Sequence, residues 1–120
     1  MNRALQDTAS EHLIQSSLIG TLYYKLRPQI VRFSVPNGGL RNARVQNQLI
    51  DEGLLPGMTD LGFCFENGRT LWLEMKTRTG SLRDEQKGVK YKLEALGHTW
   101  ALARSVDEAL EILSQHGLLK

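Results

Sequence analysis

Two carboxylates and an amine fall on one side of a predicted β-hairpin in the middle of the chain. Glu66-Asn67-Gly68 is a hairpin signal between two runs of strand-forming residues. Side chains alternate between the two faces of a strand. Every odd-numbered position of these runs is apolar: Leu61, Phe63, Phe65, Leu71, Leu73 and Met75. A three-residue loop keeps that face apolar and places Asp60 opposite Glu74, with Lys76 on the same face.

Paired carboxylates suit a hard divalent cation such as Mg²⁺, which takes oxygen ligands and usually keeps several waters. A neighbouring lysine could orient or deprotonate the attacking water and offset the charge that builds on a phosphate. Together these groups would suit hydrolysis of a phosphodiester. The same residue types are also typical of a surface ion-pair cluster, which is common on half-exposed sheets and contributes little. From the hairpin alone, the ion-pair interpretation is the favoured one.

Two residues outside the hairpin could join the same site. Glu11 extends an inward-facing apolar helix stripe that includes Ile14, which would point an acid towards the sheet. Alternatively, Thr8-Ala9-Ser10-Glu11 fits a capping box in which Glu11 only satisfies the backbone. Gln86 falls in the first turns of the helix after the lysine, where it could face the site or remain a solvated amide.

Glycine and proline divide the chain into short elements without a linker or repeat. Apolar spacing, β-branched alternation and cap signals predict helices over 8–26, 40–51, 81–96 and 105–117, and strands over 30–35, 61–65, 70–75 and 98–103. The order is α-β-α-β-β-α-β-α, an α/β arrangement with a mixed sheet flanked by helices. The helix between the second hairpin strand and the last strand is a right-handed crossover that makes those two strands parallel. Ser81 with Asp84, and Ser105 with Glu108, resemble capping boxes.

Composition limits the class of protein. The 120 residues carry 15 Lys+Arg and 13 Asp+Glu, a net charge of +2, so any nucleic-acid binding must come from a local patch. The lone Cys64 cannot form an intrachain disulfide, which favours a reducing compartment, and its mid-strand position predicts a buried, inert thiol. The sequence shows no signal-peptide core and no membrane span, so we expect a cytoplasmic protein. We interpret residues 1–120 as one domain.

These motifs together resemble the virus-type replication-repair nuclease (VRR-NUC) branch of the PD-(D/E)xK nucleases. The resemblance lies in Pro56-Gly57-Met58-Thr59-Asp60-Leu61, Leu73-Glu74-Met75-Lys76, Gly80-Ser81-Leu82 with Gln86, Val35-Pro36-Asn37-Gly38-Gly39 and Arg104-Ser105-Val106-Asp107-Glu108-Ala109. It covers nearly the whole chain from Glu11 onward. A bare D…ExK is a weak pattern, and the upstream Glu, the PNGG turn and the downstream Gln make it specific. Thr59 departs from the family, which often has Pro there. Because Pro would supply rigidity and no ligand, the departure puts little in doubt.

The resemblance implies a restriction-endonuclease-like fold and a nuclease dependent on Mg²⁺ or Mn²⁺. It assigns metal ligation to Asp60, Glu74, the Met75 backbone carbonyl and, as a supporting acid, Glu11. Lys76 would be the catalytic lysine. Gln86 would position that lysine or the scissile phosphate.

Family members that consist of the nuclease domain alone are similar to dimeric, junction-cleaving endonucleases. The resemblance therefore implies a homodimer that resolves four-way DNA junctions, in a bacterial or phage-infected host cytoplasm. We expect DNA contacts from Asn37, Arg41, Arg44, Arg78, Arg83, Lys87 and Lys90. Candidate dimer-interface residues are Tyr23, Tyr24, Leu54, Leu55, Leu118 and Leu119. The alternatives are a non-cleaving module that binds branched nucleic acid, a monomeric flap nuclease and an RNA nuclease of the same fold.

Overall fold

The computed structural model describes residues 3–36 and 42–120, with side chains from residue 11 onward in those ranges. The helices are α1 (Arg3–Lys25), α2 (Ala43–Asp51), α3 (Asp84–Ala95) and α4 (Val106–Gln115). The strands are β1 (Val31–Ser34), β2 (Leu61–Phe65), β3 (Arg69–Met75) and β4 (Thr99–Ala103). Their order is the predicted one. None of the helices in the described ranges combines the length and the apolar character needed to cross a membrane.

The strands form a mixed sheet in the order β1-β2-β3-β4. The first three strands are antiparallel, and β4 runs parallel to β3 after the α3 crossover. The predicted fold class, a mixed α/β sheet flanked by helices, is confirmed.

The β2–β3 hairpin has the predicted register. Phe65 pairs with Arg69 and Leu61 pairs with Leu73, so three residues connect the strands. The connection is a 3₁₀ turn in which Asn67 has φ +65° and Gly68 has φ +68°. Asparagine and glycine tolerate this left-handed region better than other residues, which explains their presence at the turn. Continuing the same register beyond Leu61 places Asp60 opposite Glu74.

The apolar face of the hairpin is the core, as the alternation predicts. Helices α1 and α4 cover this face, and their contributions include Leu18, Leu22, Ala109 and Leu113. Helix α3 lies on the other face near β4, where the Lys90 ammonium sits 5.1 Å from the centre of the Trp100 ring. Helices on both faces are the usual way to bury a sheet that contains a parallel pair.

Cys64 is exposed, so the expectation of a buried thiol is wrong. It shares a face with its strand partner Val31, which is also exposed. Helix α3 packs against β4, which is the edge strand opposite β1 in the sheet. A position in the middle of a strand therefore does not bury this side chain.

Two of the three predicted capping boxes are wrong. Helix α1 begins at Arg3, so Thr8-Ala9-Ser10-Glu11 lies inside the helix rather than at its start. Helix α3 begins after Arg83, whose backbone N–H donates to Gln86 Oε1 at 2.9 Å, rather than after Ser81. At α4, Ser105 Oγ accepts from the Glu108 N–H at 3.1 Å as predicted. The Glu108 carboxylate accepts instead from the N–H of Arg104, one residue before the cap.

Candidate active site

Backbone N–H groups hold the two acids at the end of the hairpin away from the turn. We call this the open end of the hairpin (Asp60, Glu74, Met75 and Lys76). Asp60 Oδ2 accepts from the Met75 N–H at 2.7 Å. Glu74 Oε1 accepts from the Asp60 N–H at 3.2 Å. Each carboxylate is thus held by the opposing strand, and both lie where the β2–β3 ladder ends.

The backbone direction of β3 turns the Met75 carbonyl towards the side of the strand that faces Asp60. The Lys76 N–H donates to the Ala103 carbonyl in β4 at 3.0 Å. Neighbouring residues of a strand direct their backbone groups to opposite sides, and the N–H and C=O of one residue share a side. Because the Met75 N–H reaches Asp60, the Met75 carbonyl faces the same side. This is the position that the predicted backbone ligand requires.

Gln86 brings helix α3 into the site. Glu74 is 3 % exposed and Gln86 is 5 % exposed. The Gln86 Nε2 group donates to Glu74 Oε2, while Gln86 Oε1 accepts from the backbone of Arg83 and so caps the helix. Lys76 Nζ lies 3.8 Å from the same Glu74 oxygen. Gln86 therefore orients the acid that Lys76 approaches.

The environment of Glu74 raises its pKa from 4.5 to about 8. Burial is the largest cause, followed by the charge of Asp60 and a hydrogen bond between the two carboxyl groups. The Lys76 ammonium and the Asp60 N–H lower the pKa, but by less. A proton between the carboxyl groups thus offsets the repulsion that a bound cation would otherwise relieve.

The donor set fits Mg²⁺ or Mn²⁺. Among the described residues, no three or more His, Cys, Asp or Glu side chains come together as a metal-binding group. Mg²⁺ is usually bound through one or two carboxylates, waters and substrate phosphates rather than by an all-protein cage. Asp60, Glu74 and the Met75 carbonyl satisfy that description. Glu11, on α1, lines a cleft of about 680 Å³ that Asp60 also lines, but among the described residues it does not join Asp60 and Glu74 in a metal-binding group.

The segment before Asp60 is packed against the first turn of α3. Gly57 has φ +94°, and a Cβ at this position would collide with the backbone carbonyl of Glu85. Thr59 is fully buried, and its hydroxyl donates to the Leu61 carbonyl at 3.1 Å. A hydrogen bond thus restrains the position directly before Asp60. Close packing at Gly57 places the acid of β2 beside the helix that carries Gln86.

Arg104 is a functional candidate that the residue pattern did not single out. Its Nη1 donates to the carbonyls of Thr77 at 2.7 Å, Gly80 at 2.6 Å and Arg78 at 3.3 Å. These carbonyls belong to the loop that leaves the site directly after Lys76. The available signal was the position of Arg104 at the end of β4, which is parallel to β3 and hence ends at the same edge of the sheet.

The predicted DNA contacts differ in their surroundings. Arg44, Arg78, Arg83 and Lys87 are exposed, and Arg83 pairs with Glu85 at 3.3 Å. Lys90 is engaged by Trp100 and lies 3.9 Å from Glu94. Asn37 and Arg41 lie outside the described residues.

The candidate dimer-interface residues also differ in their exposure to solvent. Tyr23, Tyr24 and Leu55 are exposed, and Leu54 and Leu119 are half-buried. Leu118 is 0 % exposed and belongs to the core, so its assignment to an interface is wrong. The chain turns back after α4 and buries this residue against the helices.

Comparison with known proteins returned no match to any family model, curated protein or solved structure.

Proposed function

We propose that the chain is a cytoplasmic, metal-dependent and structure-selective endodeoxyribonuclease of the VRR-NUC type. The observation that carries the proposal is a pair of hydrogen bonds at the open end of the hairpin: the Asp60 carboxylate accepts from the Met75 N–H, and the Glu74 carboxylate accepts from the Asp60 N–H. Lys76 is almost fully buried and approaches one of these carboxylates. A solvated ion-pair cluster does not require this burial, whereas a hydrolytic site benefits from it because electrostatic interactions are stronger away from water.

The residues divide the chemistry among themselves. Asp60, Glu74 and the Met75 carbonyl would hold the cation, with Glu11 acting from the cleft wall. A bound Mg²⁺ or Mn²⁺ would polarise the phosphate and lower the pKa of the attacking water. The Lys76 ammonium would offset the negative charge that builds on the phosphate oxygens. Gln86 would keep Glu74 in one orientation throughout.

We propose four-way DNA junctions as the substrate and a two-fold homodimer as the active form. Resolution of a junction needs two nicks on symmetry-related strands, and a symmetric dimer repeats its site about the axis. The described residues contain one such acid pair with a lysine, so a second copy would supply the second cut. Exposed Tyr23, Tyr24 and Leu55 are available for an apolar contact.

A cleavage panel tests the proposal. The purified chain would be incubated with Mg²⁺ or Mn²⁺ and labelled single-stranded, duplex, flap and four-way junction DNAs, and with RNA of the same sequences. A variant carrying both Asp60→Asn and Glu74→Gln, purified in parallel, controls for contaminating nucleases. We expect metal-dependent nicking of the junction by the natural chain only. Equal cleavage by the double variant, or no cleavage of any substrate, would refute the proposed activity.

Light scattering at micromolar concentration tests the oligomeric state separately. A dimer mass together with paired nicks in the junction supports resolution. A monomer mass with flap cleavage far above junction cleavage identifies a flap nuclease, and cleavage confined to RNA identifies an RNA nuclease.

A further inference from the structure

A cleft of mixed polar and apolar lining lies between helix α1 and the edge strand β1 and includes Asp60 of the open end. Its volume is about 680 Å³. Helix α1 contributes one wall, which includes Glu11, His12 and Gln15. Strand β1 and the two residues after it contribute the other wall, and Asp60 lies at the end of the cleft. The cleft therefore shares its acidic end with the candidate active site.

Arg32 faces this cleft because of the strand register. It pairs with Phe63, a core residue, so its side chain lies on the face of the sheet that α1 covers. Its guanidinium lies 5.4 Å from the centre of the Tyr23 ring on α1. Such a contact fixes the guanidinium plane but leaves its N–H donors available.

No ion pair in the described part of the chain involves Arg32. Among the described lining residues it carries the formal positive charge, while Glu11 and Asp60 are the acids. An anion bound here would meet an oriented guanidinium on one wall and the polar side chains of α1 on the other. Its neighbour along the same polymer would lie towards the acids that hold the cation.

The volume selects the form of nucleic acid. Clefts of about 300–1,000 Å³ accommodate a ligand the size of a small organic molecule. One or two nucleotides match that size, whereas a double helix is much too wide. The apolar lining residues Ile19, Val35 and Pro36 offer contact for a sugar or an unstacked base.

We propose that this cleft binds a single-stranded segment of the substrate next to the cleaved bond, with Arg32 holding one of its phosphates. The inference rests on the proposed function, because it concerns the substrate of the same site. It adds that nucleotides at the branch point of the junction unpair when the enzyme binds. Arg32 is then a substrate-binding residue.

Binding measured without cleavage tests this inference. The probe is fluorescently labelled single-stranded oligothymidylate, compared with a labelled duplex, in Ca²⁺ instead of Mg²⁺. Arg32→Gln should weaken single-strand binding about tenfold and reduce the slope of log affinity against log salt by about 0.7, the value for one phosphate contact. Duplex binding should change less. The matched control is Arg69→Gln, because Arg69 also stacks on an aromatic ring, 4.7 Å from Phe65, at the turn.

A second variant covers the case in which Arg32→Gln does not fold. Ser16→Trp places a bulky group on the exposed α1 wall of the cleft and should weaken single-strand binding without removing a charge. Equal single-strand affinities for the Arg32, Ser16 and Arg69 variants would overturn the cleft assignment, even if the natural chain cleaves junctions. Selective loss in the first two supports it, even if the chain cleaves nothing and the proposed activity fails. A natural chain that binds no single strand overturns the cleft assignment alone if it still cleaves.

Discussion

The two ends of the β2–β3 hairpin handle charge in opposite ways. At the turn end (Glu66–Gly68), the Glu66 side chain is 41 % exposed and forms an ion pair with Arg27. At the open end, the Glu74 side chain is 4 % exposed and faces a second acid, Asp60. The turn end pairs opposite charges in water, while the open end confines like charges away from it.

The charges at the turn end suit a role in stabilising the fold, whereas the charges at the open end suit a role in catalysis. An exposed ion pair contributes about 0–1 kcal/mol and costs little to lose. The buried acid Glu74 destabilises the metal-free fold when it is ionised, because burial and the charge of Asp60 both raise its pKa. Groups with strongly shifted pKa values in a cleft are typical of functional sites. The following substitutions test that distinction.

Neutralising one acid at each end should give the largest contrast. Asp60→Asn or Glu74→Gln is expected to reduce cleavage on the order of a thousandfold or more, because a cation ligand is lost at the reacting phosphate. Glu66→Gln should leave the rate almost unchanged. Cleavage rates with Mg²⁺ measure the effect, and circular dichroism together with DNA affinity in Ca²⁺ checks the fold. Substantial cleavage by either open-end variant would contradict the site assignment.

Removing the buried amine should affect turnover but not cation binding. Lys76→Ala is expected to lower kcat by roughly a hundredfold to a thousandfold, because it removes one charge that stabilises the transition state. Lys76→Arg should not restore the rate, since a planar guanidinium cannot occupy the position of a compact ammonium. Exposed Lys92→Ala is the control. Loss of Mn²⁺ binding by the alanine variant in calorimetry would argue that Lys76 only supports the metal site.

Freeing the loop after Lys76 should give an intermediate effect. Arg104→Met removes the donor shared by three carbonyls and should lower kcat by roughly ten- to a hundredfold, because small displacements of catalytic groups are costly. Arg104→Lys should recover part of the rate, and Arg69→Met at the turn end should change it little. A drop in thermal stability with unchanged kcat would show that Arg104 serves the fold alone.

The smallest expected effect is on stability and depends on pH. The pKa of Glu74 in the fold is about 8 against 4.5 for an unperturbed carboxyl group, so the fold favours the protonated form. Its contribution is fully present below pH 4.5 and is lost as the pH rises through 8. Glu74→Gln should remove this loss and stabilise the metal-free protein at pH 9 relative to the natural chain. Denaturant unfolding at pH 5 and pH 9 measures it. An identical pH dependence in both proteins would contradict the shift.

Much of the site followed from local rules. Alternation along two strands and the length of one turn place Asp60, Glu74 and Lys76 on one face, because strand geometry fixes side-chain direction. For Gln86 the sequence left two alternatives open, a side chain that faces the site and a solvated amide. Its amide serves as helix cap and acid partner at once, so the cap that Ser81 suggested is not used.

The remaining features depend on contacts that are distant in sequence. Arg104 follows β4 but binds carbonyls that follow β3, and no spacing rule links those positions. Gly57 is required because α3 approaches it, which only the packed structure specifies. In the sequence, Arg32 is an ordinary polar residue of an edge strand. Its pairing with Phe63 in the structure places its side chain on the face that α1 covers. Local propensity determines the elements, while packing between them determines these three roles.

The hydrogen bond from the Met75 N–H to Asp60 gives the site a built-in spectroscopic reporter. At this point a side chain takes the place of the next residue in the β-ladder, so the amide signal of Met75 senses the state of the Asp60 carboxylate directly. A cation that draws electron density from that carboxylate would weaken the bond and shift the amide resonance, without any substrate or turnover. The exchange rate of the same proton would report how often the end of the sheet opens.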